Sequence, residues 1–282
     1  MATVLLTKRI EFSASHRYYN AAWSAARNRE VFGACSNASG HGHNYLLEVT
    51  VEGEISEETG MVVNLYDLKQ VLKTVLLEFD HKHLNLDTPY FTTAIPTTEN
   101  IAGVLWSILT AYMKIGRLQS IRLFEEEDLY AEVTAESFTK DGRLAQARLT
   151  RRYHFPAAHR IEKSESADDG QTALPRTCGG ADLHGHNYAL QVTIGGPVNP
   201  ETGMVTDLVL LDRAVQQRVI ERFGYRNLNM DPELAGRPTG MNMARFIWML
   251  LRESIPEGKL VKVGLTETVD TSYEYEGALL IR

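Results

Sequence analysis

The sequence predicts an α+β protein built twice over. Two units stand in tandem, each a four-stranded antiparallel sheet with two helices on one face. Three observations carry this. The first is an internal repeat. Phe12-Ser13-Ala14-Ser15-His16, Cys35, His41-Gly42-His43-Asn44-Tyr45 and Glu58-Thr59-Gly60-Met61-Val62 return as Phe155-Pro156-Ala157-Ala158-His159, Cys178, His184-Gly185-His186-Asn187-Tyr188 and Glu201-Thr202-Gly203-Met204-Val205, each 143 residues later. The second is periodicity: along each copy apolar residues recur first as in strands, then as in helices, then as in strands again. The third is length, since 282 residues make two units of about 140, an ordinary domain size.

The elements follow in order. Val4–Ser13 mixes β-branched and apolar residues and ends in polar ones, a strand. Asn44–Gly53 alternates, a second strand. Leu68, Val71, Leu72, Val75, Leu76 and Phe79 form the stripe of an amphipathic helix, and Ile101, Val104, Leu105, Ile108 and Leu109 form another. Ser120–Phe124 and Leu129–Val133 close the unit as a hairpin. The second copy predicts strands near Leu149–Phe155 and Asn187–Ile194, helices near Asp207–Arg222 and Asn242–Arg252, and strands near Leu260–Glu267 and Glu274–Ile281. The spacing drifts to 144 at Phe79/Phe223 and to 142 at Trp106/Trp248 and Glu125/Glu267, which small loop indels explain. The units are read as residues 1–137 and 148–282, joined through Ser137–Ala147, where Thr139-Lys140-Asp141-Gly142 has turn chemistry.

Composition excludes several classes. With 44% hydrophobic and 23% charged residues the chain reads as soluble and globular. A net charge of −7 with no basic block argues against coating nucleic acid, although a local basic pocket for a small anion stays open. Apolar runs such as Phe246–Leu251 fall far short of the ~20 residues of a membrane span. Met1–Ile10 has no apolar core of a secretory leader. Two cysteines do not make a disulfide framework, so a reducing cytoplasm is expected.

His41 and His43 stand two apart at the start of a strand, so both imidazoles face one side. His16 ends an earlier strand that can lie beside it. Three histidines can hold zinc and leave one position open, as in catalytic sites. A structural histidine cluster is the alternative. The triple recurs as His159, His184 and His186, and the two triples use six of the nine histidines. Cys35 has three roles open to it: fourth ligand, small buried hydrophobe, or catalytic thiol. Base and ligand rank equally on chemistry alone. Asp80-His81 is either a proton relay or a helix-terminal histidine facing the dipole. Its replacement by Gly224-Tyr225 in the second copy points to function. Glu125 and Glu267 sit late on strands; a carboxylate there either accepts two parallel N–H groups of a guanidine-like edge or guards a sheet edge. Thr97-Thr98-Glu99 opens a helix as cap and first-turn carboxylate, where the second copy has Thr239-Gly240-Met241.

Together these residues resemble the 6-pyruvoyl-tetrahydropterin synthase family, which also contains the bacterial 6-carboxy-tetrahydropterin synthases of queuosine synthesis. The resemblance runs through Phe12–His16, Phe32-Gly33-Ala34-Cys35, Gly40–Tyr45, Gly60–Lys69, Asp80-His81-Lys82 and Pro96–Asn100, nearly the whole first unit. The second unit is similar in outline. The resemblance implies the tunnelling (T) fold, whose strands join across subunits into a barrel. It implies zinc on His16, His41 and His43, with Cys35 as general base. Asp80 and His81 would be a relay reaching a neighbouring subunit's zinc site. Glu125 would anchor a pterin with Thr97, Thr98 and Glu99. The implied substrate is 7,8-dihydroneopterin triphosphate, which loses triphosphate as its side chain is oxidised internally. Arg17, Arg27, Arg29 and Lys82 are triphosphate candidates on charge alone. The second unit keeps His159, His184, His186, Cys178 and Glu267, so one zinc per unit is expected, with weak or no turnover there. A homo-oligomer is expected, with a trimer of tandem chains favoured; an even-membered ring would allow hybrid sites. The alternatives are the sister reaction giving 6-carboxy-tetrahydropterin and acetaldehyde, and a pterin-binding module with a degenerate second unit.

Overall fold

The computed structural model describes residues 3–113, 116–161, 182–234 and 237–277. The chain forms two compact units, Met1–Thr150 with Gly195–Val209, and Arg151–Ile194 with Leu210–Arg282. Gly195–Val209 thus belongs to the first unit, although the repeat places it in the second copy.

In the first unit, β1 (Thr3–His16) and β2 (His41–Glu54) run antiparallel along their whole length, with Thr3 opposite Glu54 and His16 opposite His41. β4 (Arg117–Glu126) pairs with β2, and β5 (Leu129–Thr134) with β4, both antiparallel. The two-residue β3 (Lys82–His83) adds a parallel edge to β1 and is too short to leave a periodic signal. Alternation buries Tyr45, Leu47, Val49 and Val51 of β2 completely.

Two helices cover this sheet. α2 (Leu65–Leu76) starts at Asn64, whose side chain accepts the Tyr66 N–H, and it buries Leu68, Leu72, Val75 and Leu76 on one face. α4 (Thr98–Tyr112) starts at Thr97 and buries Ile101, Leu105 and Leu109; it lies against β4, β5 and α2. Each such leucine contributes about 1.5–3 kcal/mol on burial. A one-turn α3 (Leu84–Asp87) follows β3. The helix α1 (Ala25–Phe32) has too few apolar positions to show a period. Ser24 caps it by accepting the Arg27 N–H, and Val31 and Phe32 are buried. Buried Asn28 ties down the loop before it, accepting the Asn20 N–H and donating to the Asn20, Trp23 and Ser24 carbonyls.

The second unit repeats the plan with β6 (Gln146–His159), β7 (His184–Pro197), α5 (Leu208–Val215), α6 (Glu221–Phe223), the two-residue β8 (Arg226–Asn227), α7 (Gly240–Leu251), β9 (Lys259–Thr268) and β10 (Thr271–Tyr275). Its strand order is β10–β9–β7–β6, with β8 parallel to β6. α5 and α6 are one helix interrupted by a π-helical turn, Gln216–Ile220. That turn accommodates the extra residue that moves the repeat from 143 to 144 before Phe223, because an inserted residue in a helix bulges into i→i+5 bonding. The last strand begins three residues before the expected Glu274, and residues 278–281 lie outside the described residues. Among the described residues no helix is long and apolar enough to cross a membrane.

Candidate functional site

Strand register builds the first centre. His16 closes β1 opposite His41, which opens β2, and His43 shares the His41 face. The three rings stand 4.6, 5.1 and 4.9 Å apart between centroids. Gly42 lets the strands approach, since a Cβ there would stand 3.1 Å from the Ala14 carbonyl oxygen. His16 is fully buried and its Nδ1–H donates to the Pro96 carbonyl at 2.9 Å. That bond leaves the lone pair of Nε2 toward Nε2 of His41, 3.2 Å away. His43 Nε2 is buried with no protein hydrogen-bond partner. Burial lowers the pKa of His16 to about 4 and also lowers that of His41, so both are neutral at pH 7.

Glu125 on β4 completes the group: one donor atom from each histidine and one of its oxygens lie within 4.8 Å of one another. Its Oε1 stands 3.6 Å from His43 Nε2 and 3.9 Å from His16 Nε2. Neutral imidazoles aiming lone pairs at one point beside a carboxylate are unfavourable without a cation, so this donor set fits a divalent metal ion. His16, His41 and His43 can hold it.

The other oxygen of Glu125 faces protein donors. Oε2 accepts from the Tyr18 and Thr98 hydroxyls, both at 2.7 Å. Burial, reinforced by Glu125, pushes Tyr18 well above 10, so it stays a donor. Thr98 is the first residue of α4, whose cap Thr97 accepts the Asn100 N–H at 3.2 Å and donates its hydroxyl to the Gly203 carbonyl at 2.7 Å. Glu99 is buried beside them, and its Oε1 accepts the Val205 N–H at 2.9 Å. Burial pushes the Glu99 carboxyl up to about 7 against that N–H, and Glu125 adds to the rise. Met204 joins Tyr18, Val31, Phe32 and Ile95 in one apolar cluster, with Cys35 packed against it.

Cys35 lies half-buried in the tight turn Gly33–Ser36 after α1, and its carbonyl accepts the Tyr18 N–H at 2.9 Å. Its sulfur is not part of the donor group around the histidines. Asp80 and His81 follow α2 at the outer edge of β1. Asp80 Oδ1 accepts the Ser13 N–H at 2.9 Å and stands 3.0 Å from His81 Nδ1. The Ser13 N–H holds Asp80 below the usual carboxylate range; desolvation opposes this and His81 assists it. His81 is 82% exposed and adopts φ 58°, while its N–H donates to the Ser13 carbonyl. Asp80 is held by the Ser13 N–H and stands beside His81, and His81 lines an open cleft with Ser15, His43, Asn44 and Lys82. Of the other basic candidates, Arg17 donates to the Ser36 carbonyl and stacks on Tyr19, Arg27 pairs with Glu30, and Arg29 is exposed on α1.

The second unit repeats the metal end. His159 donates Nδ1–H to the Pro238 carbonyl at 2.7 Å, and its Nε2 lies 3.1 Å from that of His184. His159, His184 and His186 gather their donor atoms within 4.8 Å. Glu267 Oε1 stands 3.5 Å from His159 and 3.8 Å from His186. Tyr225 takes the place of His81 with φ 57°, and its N–H donates to the Pro156 carbonyl. The backbone turn is therefore kept while the Asp80-His81 side chains are replaced by Gly224-Tyr225. Cys178 lies outside the described residues.

Sequence reasoning missed Tyr18, the Pro96 carbonyl and Gly203–Val205. The repeated Glu-Thr-Gly-Met-Val motif was a signal for the last, since a loop retained in both copies has something to do.

The family model for 6-pyruvoyl tetrahydropterin synthase matches residues 5–136 and again 148–278. The 6-pyruvoyl tetrahydrobiopterin synthase of Pongo abelii is 45% identical over 124 residues, 44% of this chain and 86% of that protein. A protein of Archaeoglobus fulgidus provisionally named 6-carboxy-5,6,7,8-tetrahydropterin synthase is 38% identical over 93 residues, 33% of this chain and 74% of that one. The solved Caenorhabditis elegans 6-pyruvoyl tetrahydropterin synthase is 34% identical, covering 48% of this chain and 97% of its own, with a TM-score of 0.46. With one model matched by both halves, this chain belongs to the 6-pyruvoyl tetrahydropterin synthase family as a tandem duplication of its unit.

Proposed function

We propose that the first unit is a zinc-dependent 6-pyruvoyl-tetrahydropterin synthase of the cytoplasm. It converts 7,8-dihydroneopterin triphosphate to 6-pyruvoyl-tetrahydropterin with loss of triphosphate, a carbon–oxygen lyase reaction. The observation that carries this is Glu125, a buried carboxylate with hydroxyl donors on one oxygen and histidine imidazoles beside the other. A carboxylate so placed binds the guanidine-like edge of a pterin while the rest of the ligand reaches the histidines. Thr97, Thr98 and Glu99 shape the wall around it.

His16, His41 and His43 would hold the zinc, which supplies polarisation of the substrate's side-chain oxygens when bound. Cys35 takes the carbon-bound proton; the bond from its turn to Tyr18, whose hydroxyl donates to Glu125, supports that role. Asp80 orients His81 for proton transfer. The exposure of His81 at the edge of β1 supports service to the centre of a neighbouring copy. We assign the assembly as three tandem chains. The second unit holds its own zinc on His159, His184 and His186 and lacks the relay.

The test is product analysis by mass spectrometry, with zinc-loaded protein, 7,8-dihydroneopterin triphosphate and no reductase. Pyruvoyl-tetrahydropterin with triphosphate is the expected result. Carboxy-tetrahydropterin with acetaldehyde would move the protein to queuosine-type synthesis, the reading favoured by the Archaeoglobus relative. Unchanged substrate from metallated protein would leave a binding module.

A further inference from the structure

Among the described residues the second centre keeps its histidine trio and differs around its carboxylate. Four positions around the carboxylate differ between the copies. Tyr18 becomes Ile161, Thr98 becomes Gly240, Glu99 becomes Met241 and Ala131 becomes Tyr273. The last pair is equivalent by strand register: Ala131 on β5 stands opposite Leu123, and Tyr273 on β10 stands opposite Leu265. The substitutions at Gly240 and Tyr273 are coupled in space. A Cβ on Gly240 would lie 1.9 Å from Tyr273 Cε2 and 2.3 Å from Cδ2. The phenol ring thus runs across the first residue of α7, where the first unit carries the Thr98 side chain.

The ring carries its hydroxyl to the carboxylate. Tyr273 donates to Glu267 Oε2 at 3.0 Å and Tyr188 donates to Oε1 at 3.1 Å. In the first unit both hydroxyl donors converge on one oxygen of Glu125. In the second, each oxygen has its own phenol. A planar heterocycle edge with two parallel N–H groups needs both oxygens together and the space in front of them. Inserting a ring in place of a methyl removes that space, and glycine at 240 is what lets the ring in.

We infer that Tyr273 closes the second centre to pterins, so that the chain carries two metal sites and one pterin site. This rests on the reading of the first unit as pterin-binding. Tyr273 and Gly240 then decide specificity between two otherwise matching centres. The three histidines of the second unit, each buried or half-buried, stay available to a divalent cation.

Neopterin and zinc, counted on the full chain, test this. Zinc-loaded protein is dialysed to equilibrium against neopterin, with zinc measured in parallel. The wild type is expected to hold two zinc and one neopterin per chain, and Glu125→Gln two zinc and no neopterin. The double variant Gly240→Thr/Tyr273→Ala exchanges the coupled pair for that of the first unit and is expected to hold a second neopterin. Its zinc content reports that the second centre is folded; Tyr273→Ala alone gives the same readout if the double variant loses zinc. Two neopterin on the wild type, or one kept by Glu125→Gln, would overturn the closure of the second centre. Both opened variants staying at one neopterin would overturn the role of Tyr273. No neopterin on the wild type would instead overturn the pterin reading of the first unit.

Discussion

The two units agree at the histidine trio and part around the carboxylate beside it. Each places a buried histidine at the end of its first strand, donating Nδ1–H to a proline carbonyl, at 2.9 Å in one and 2.7 Å in the other. The facing Nε2 atoms are 3.2 and 3.1 Å apart. Around the carboxylates, by contrast, hydroxyls, an acid and an alanine have become an isoleucine, a glycine, a methionine and a tyrosine. The difference teaches that a donor set fixed by strand register survives duplication, because two paired backbones place it. The side chains around the carboxylate, drawn from a loop, a helix start and a neighbouring strand, are not held by that pairing and differ between the copies.

The largest expected effect breaks this comparison at Cys35. Cys35→Ala should lower turnover by about 10²–10⁴-fold, the usual contribution of a positioned base, while zinc content stays unchanged. A variant with the wild-type rate would overturn Cys35 as the base.

A second comparison uses one position of the repeat in two settings. Met204 is 2% exposed in the first unit's cluster, whereas Met61 is 47% exposed. Met204→Ala should cost about 2–4 kcal/mol in urea unfolding, and Met61→Ala less than about 0.5 kcal/mol. Equal costs would mean that Gly195–Val209 does not pack as part of the first unit.

Glu99 sharpens the comparison through pH. Its folded pKa of about 7 lies above the ordinary 4.5, so the folded state holds the proton more tightly than the unfolded state. That stabilisation is full below pH 4.5 and is lost as pH rises through 7. Glu99→Gln cannot ionise and keeps an oxygen for the Val205 N–H. It should be more stable than wild type by about 2–3 kcal/mol at pH 8 and indistinguishable at pH 4. Met241, its counterpart, carries no such dependence, and parallel pH–stability curves for wild type and Glu99→Gln would rule the shift out.

The smallest effect separates the two helix caps. Thr239→Ala loses only the bond to the Asn242 N–H, about 1 kcal/mol. Thr97→Ala also abandons the buried Gly203 carbonyl and should cost about 1 kcal/mol more by the same measurement.

Much of the site was legible before the fold. His16, His41, His43 and their copies announce themselves because strand period and repeat spacing are local properties of the chain. Glu125 was legible because it ends an apolar strand in both copies. Tyr18, Pro96 and Val205 were not, because they reach the site from loops that carry no period. Their partners lie 80 residues away or more along the chain: His16 for Pro96, Thr98 for Tyr18 and Glu99 for Val205. The π-helical turn left only a one-residue drift in the repeat, and α1 left nothing that hydrophobic spacing detects.

By itself, then, the sequence determined the twofold repeat, the order of the main strands and helices, the two histidine triples and the replacement of Asp80-His81 by Gly224-Tyr225 in the second copy. Backbone preference, alternation and spacing are written residue by residue and need no partner to act. The tertiary structure alone decided that Gly195–Val209 belongs with the first unit, that Glu99 is buried against Val205, and that the ring of Tyr273 rests on Gly240. Those outcomes depend on which distant surfaces meet and how tightly they close, and close packing between segments remote in the chain sets them.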